Sequence, residues 1–151
     1  MLAPPGPPEN RRNQGERMSQ EQSANPALGQ LTQWLRQRHT QVMQAEAQAL
    51  QYLDANDTPG HNAAMRQKAE LLASMADDAK PMLEFLPGEL RFNVALALEN
   101  FSAGARTALR LGSIFYMGAL LYPDDHRKGE PDNLILCIER MEKEGADFRQ
   151  S

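Results

Sequence analysis

An all-α fold is predicted here: an antiparallel bundle of three long helices plus a shorter C-terminal helix, behind a disordered N-terminal tail. Three features of the sequence predict it. Apolar residues recur at steps of three and four, most clearly from Pro87 to Tyr122, where Leu90, Val94, Ala97, Phe101, Gly104, Ala108, Leu111, Phe115, Gly118 and Tyr122 share one helical stripe. Gln, Ala, Leu, Glu, Arg and Met dominate while Val and Ile are scarce, so helix propensity is high and no segment reads as a strand. Each proposed helix start also carries an X-Pro pair, namely Asn25-Pro26, Thr58-Pro59, Leu86-Pro87 and Glu130-Pro131, where proline at the first helical position forfeits no hydrogen bond.

A chain of 151 residues, 41% of them hydrophobic, can close one core without disulfides or metal. Residues 1–23 are rich in Pro, Gln and Arg with almost nothing to bury, which predicts a disordered tail, and residues 24–151 form the single domain. Pro4-Pro5-Gly6-Pro7-Pro8 also fits a short polyproline II ligand, and Met18 is a second plausible initiator.

The first helix is expected from Asn25-Pro26, with a seam of Leu28, Leu31, Leu35, Arg38, Val42, Ala45, Ala49 and Tyr52, ending in the polar turn Asp54 to Asp57. Arg38 is the odd member. Snorkelling into water is its default, and pairing with a carboxylate of another helix is the alternative. The second helix opens at Thr58-Pro59 and buries Met65, Ala69, Leu72, Ala76, Ala79, Leu83 and Leu86. The short connection makes the pair a hairpin, and Pro81 predicts a break near Lys80.

The central helix starts at Pro87-Gly88-Glu89 with a carboxylate at its positive end. Gly104, Ala108 and Gly112 allow a close helix crossing, expected within the chain before between chains. Beyond Leu111 the segment is apolar on several faces, which calls for burial by the last helix or by another molecule. The last helix opens at Glu130-Pro131 and buries Leu134, Ile135, Cys137, Ile138 and Met141; fraying is the default for the end, with Phe148 as a candidate anchor.

Most chemistries lack their residues. A di-iron bundle needs Glu-x-x-His pairs, and none of His39, His61 and His126 has Glu three residues before it. Nucleophile elbows, phosphate-binding glycine loops and Cys-x-x-Cys pairs are missing from the sequence, so no catalytic residue, cofactor or metal ligand is assigned. Cys137 reads as a small core residue, and His39 as an unremarkable exposed imidazole before a phosphoryl acceptor. Trp34 reads as core before interface anchor.

The leading expectation is therefore a non-enzymatic helical interaction protein, adaptor-like or export-chaperone-like, with Tyr116, Met117 and Leu120 binding a protein partner or a second copy. The alternative is a metal-binding or enzymatic bundle using the loop 124–130, where Asp124, Asp125, His126 and Glu130 offer hard oxygens and an imidazole. A second alternative, nucleic-acid binding through Arg106 and Arg110 with Arg36, Arg38, His39, Arg66 and Lys68, is opposed by a formal charge of -4. With one cysteine and no apolar leader, the expected location is the cytoplasm. The run Leu111 to Tyr122 falls short of the roughly 20 apolar residues that membrane insertion needs.

Overall fold

The computed structural model describes the backbone of residues 8–150 and the side chains of residues 26–150. Among them it contains helices and no strand: α1 (Pro8–Asp54), α2 (Thr58–Ala73), α3 (Met75–Leu83), α4 (Gly88–Leu111), α5 (Ile114–Ala119) and α6 (Asn133–Glu144), closed by a 3-10 turn at Gly145–Asp147. The fold is the expected all-α bundle. α2 and α3 make a broken middle rod between α1 and α4, while α6 packs on α1 and α5 on α2.

α1 differs from expectation at its start. Pro26 lies inside the helix and does not open it, because the Gln, Glu and Arg residues before it favour helix strongly enough to absorb one missing bond. Of the tail expected over 1–23, residues 1–7, and with them most of the polyproline stretch, lie outside the described residues; residues 8–23 are described by their helical backbone alone. The apolar members of the expected seam of α1 are buried from Leu28 through Ala49, Arg38 is partly exposed, and Tyr52 at its end is 42% exposed.

Every expected core position of the second segment is buried, from Met65 to Leu86. Its break is at Ser74, not near Lys80, and Pro81 stands inside α3. Side chains from the neighbouring helices determine the site of the break. Ser102 Oγ of α4 accepts from the Ala76 amide at 3.0 Å and donates to the Leu72 carbonyl at 2.8 Å, so a hydroxyl sits where the helix's own bond would be. From the other side Arg38 Nη1 donates to the Leu71 carbonyl at 2.8 Å, and its Nη2 reaches Asp78 at 3.0 Å. Arg38 thus takes the paired alternative over snorkelling, with its guanidinium also lying 4.8 Å from the Trp34 ring centre. The Arg38 hydrogen bond, with a second from Ser74, holds the Asp78 carboxyl below the ordinary carboxylate range.

The central segment is likewise not one helix. Gly112 adopts φ 62° and ψ 25°, a left-handed cap that glycine enters without strain, and Ser113 accepts from the Tyr116 amide at 3.1 Å to start α5. The stripe holds for Leu90, Val94, Ala97 and Ala108, while between the last two Ser102 and Ala105 face inward in place of Phe101 and Gly104. Phe101 is only partly buried, and Leu111 and Phe115, assigned to the seam, are 59% and 79% exposed. Gly104 is also exposed, so the close crossing expected there within the chain does not form.

α6 begins two residues after Pro131, capped by Asp132, which accepts from the Ile135 amide at 3.0 Å. Phe148 does anchor the chain end: it is 1% exposed, beneath the Arg140 guanidinium, and its carbonyl accepts from Asn93 at 3.2 Å. Among the described residues no helix is long and apolar enough to cross a membrane.

Candidate interaction surface

The break at Gly112 turns α5 across the end of α4 and opens an apolar groove of about 530 Å³ between them. Ala103, Gly104, Thr107 and Ala108 form one wall, Ala119 and Leu120 the other, and Leu111 and Tyr116 close the end. A methyl group placed on Gly104 would meet Leu120 Cδ2 at 3.9 Å, an ordinary contact, so nothing within the chain requires glycine there. Phe115 beside it is 79% exposed and packs edge-on against Tyr116, ring centres 5.7 Å apart.

The expected binding residues divide. Tyr116 is 54% exposed on the rim and Leu120 is half-buried in the wall. Met117 is a correction. It is fully buried in a cluster with Ala49, Ala64, Met65, Ala69 and Ala108, because successive residues of a helix point about 100° apart, so that α5 directs Met117 inward while its neighbour Tyr116 stays on the rim. Sequence reading missed Leu111 and Phe115 as surface residues, having assumed an unbroken stripe. The pair Gly112-Ser113, a stop residue followed by a start residue, was the available signal.

The stripe continues along the outer face of α4. Phe92 and Leu96 are 66% and 42% exposed, and with Ala103, Thr107 and Leu111 they recur at steps that keep one side of a helix.

Against the inner side of α5 lies a polar network. Lys68, one of the basic residues considered for a nucleic-acid face, is fully buried, its amino group 2.7 Å from Glu46, 3.0 Å from the Gly118 carbonyl and 4.9 Å from the Tyr122 ring centre. Tyr122 donates to the other Glu46 oxygen at 2.6 Å. Burial lowers the Lys68 ammonium from its ordinary value against the raising effect of Glu46, and burial with the Glu46 bond raises the Tyr122 hydroxyl. His39 donates from Nε2 to Asp132 at 2.6 Å. Burial pushes the Asp132 carboxyl up, but hydrogen bonds from His39 and the Ile135 amide outweigh it and hold the group below its usual range.

The loop 124–130 does not assemble a ligand set. His126 Nε2 bonds the Glu130 carbonyl at 2.9 Å, the Glu130 carboxylate accepts from the Arg127 amide at 2.7 Å, and Asp132 is taken by His39. Among the described residues no three His, Cys, Asp or Glu side chains converge. Nor do the basic residues form one field: Arg36 pairs with Glu142 at 2.5 Å, Arg38 with Asp78, Lys68 with Glu46 and Arg106 with Glu99. Burial pushes the Cys137 thiol up to about 11, which keeps it protonated and unreactive. No family model, curated protein or solved structure matches this chain.

Proposed function

We propose that this chain is a non-enzymatic interaction protein of the cytoplasm, adaptor-like or export-chaperone-like, that receives an amphipathic helix on the α4–α5 face. The observation that carries this reading is the coincidence of the 530 Å³ apolar groove with three large exposed side chains, Leu111, Phe115 and Tyr116. Apolar area concentrated beside a concave strip of small residues is the form that helix-in-groove recognition takes. The enzymatic and metal-binding alternative at 124–130 gains no support, since His126 and the Glu130 carboxylate are each engaged with backbone groups of the loop and no three His, Cys, Asp or Glu side chains converge among the described residues.

The test compares the whole chain with a Leu111→Glu, Tyr116→Glu variant. Both residues are exposed, so the melting temperature should stay within about 2 °C, as for ordinary surface changes. Binding of a helical partner, recovered from the native cell and titrated in purified form, or self-association in sedimentation, should be lost. Equal binding and equal sedimentation by the two proteins would refute the reading.

A further inference from the structure

Between α1 and α6 lies a carboxylate–imidazole pair that the docking face does not use. His39, within α1, donates from Nε2 to Asp132, the residue that caps α6, at 2.6 Å, and the two side chains are only 15% and 6% exposed. Asp132 accepts the Ile135 amide through its other oxygen and is held ionised below the usual carboxylate range. A buried carboxylate at Nε2 fixes the tautomer of a neutral imidazole: the proton stays on Nε2 and the lone pair lies on Nδ1.

Nδ1 has no partner among the described residues, and it is not one of the polar atoms sealed from water. Its residue lines an open pocket of about 590 Å³ between α1, the loop before α6 and the start of α6, with Met43 and Ile135 as apolar lining. That volume is in the range that takes a small molecule. The other two histidines differ: His61 bonds Asn62 and His126 bonds the Glu130 carbonyl, and neither has a carboxylate behind it.

We propose that His39 is a phosphoryl acceptor, modified at Nδ1 by a small acyl phosphate that enters this pocket. The Nδ1 lone pair attacks phosphorus, an N–P bond forms, the P–O bond to the acyl group breaks, and the carboxylate leaves with that electron pair. The ring keeps its Nε2 proton and becomes cationic, so no proton has to leave. Asp132 then faces a full imidazolium charge within hydrogen-bond distance in a buried setting, where charge-assisted bonds are strongest. Lys128 lines the same pocket and makes no ion pair among the described residues, which leaves an ammonium to draw in the charged phosphoryl end of the donor. Glu130, the other carboxylate of the lining, is turned to the Arg127 amide at 2.7 Å. The docking face on α4 and α5 plays no part in this step, and a chain modified in this way is the substrate of the transfer, not its catalyst.

The experiment incubates the full chain with acetyl phosphate and follows it by phosphorus NMR and by mass spectrometry of the intact chain and its peptides. An acid-labile phosphoryl group is expected on Nδ1 of His39, forming at least ~10-fold faster than any on His61 or His126, which lack the orienting carboxylate. The isomer is the decisive readout, because an unconstrained histidine accumulates the product on Nε2, the nitrogen farther from its Cβ. His39→Gln should abolish the label. Lys128→Ala, at an exposed position, should slow labelling while melting like the parent. Asp132→Asn should slow it by at least ~10-fold and release the tautomer, so that the Nε2 product appears; a carboxylate that merely tied α6 to α1 would change the melting temperature and leave the isomer alone. A parent without phosphohistidine, equal rates at the three histidines, the Nε2 isomer in the parent, or an acetyl group on His39 in place of the phosphoryl overturns the proposal.

Discussion

Removing Glu46 should damage this protein more than removing Lys68, although the two make the same ion pair. The reason is unequal burial: the Lys68 side chain is 0% exposed and that of Glu46 is 21% exposed. In Glu46→Ala the ammonium keeps only the Gly118 carbonyl and the face of Tyr122, and the Tyr122 hydroxyl loses its acceptor. An uncompensated buried charge of this kind costs about 3–5 kcal/mol, or roughly 10 °C in melting temperature for a chain of this size. In Lys68→Met the stem volume is retained while Glu46 keeps the Tyr122 hydroxyl and part of its water, so the cost should be about 1–2 kcal/mol. Glu46→Leu with Lys68→Met should recover most of the loss, as apolar replacement of both partners commonly does. Urea unfolding followed by Trp34 fluorescence measures all three. The pH dependence supplies a second readout. Burial already lowers the folded-state value of Lys68, and without Glu46 it falls further below the ordinary value of about 10.4. Between those values the unfolded chain binds more protons, so stability rises with pH and the Glu46→Ala defect should narrow from pH 7 toward pH 10. A Lys68→Met defect equal to or larger than that of Glu46→Ala, or one for Glu46→Ala that is the same at both pH values, would refute the reasoning.

Two further outcomes are expected. Ser102→Ala removes the hydroxyl that bridges the Ala76 amide and the Leu72 carbonyl, leaving two buried backbone groups to re-pair or go unmet, at a cost of about 2–3 kcal/mol in urea unfolding; a cost below about 0.5 kcal/mol would mean the hydroxyl does not hold the break. Asp132→Asn preserves the cap on α6 but loses the charged bond to His39, for about 1.5–3 kcal/mol at pH 6. Because the Asp132 carboxyl is held below its usual range, its contribution is complete above the unfolded value near 4 and is lost as pH falls through the lower folded one. Acid titration of stability should therefore be shallower in Asp132→Asn below about pH 4, and parallel curves would remove Asp132 as a source of acid sensitivity.

What the sequence determined by itself was periodic. The core faces of α1, of α2 with α3 and of α6 follow from the recurrence of apolar residues, because a 3.6-residue repeat places them on one side wherever the helix lies. Their phase even survived the break at Ser74. What only the tertiary structure decided was local and polar. Lys68, Arg38 and Ser102 look like solvated or neutral residues in sequence, yet each is directed inward to a carboxylate or carbonyl contributed by a distant helix. Met117 and Phe115 exchanged their expected roles for the same kind of reason. One left-handed glycine, Gly112, restarts the helix with a new rotational phase, and the direction of the restarted turn depends on what α2 offers it to pack against. Spacing fixes which residues share a helix face only while the helix is continuous; past a break, the facing surface chooses.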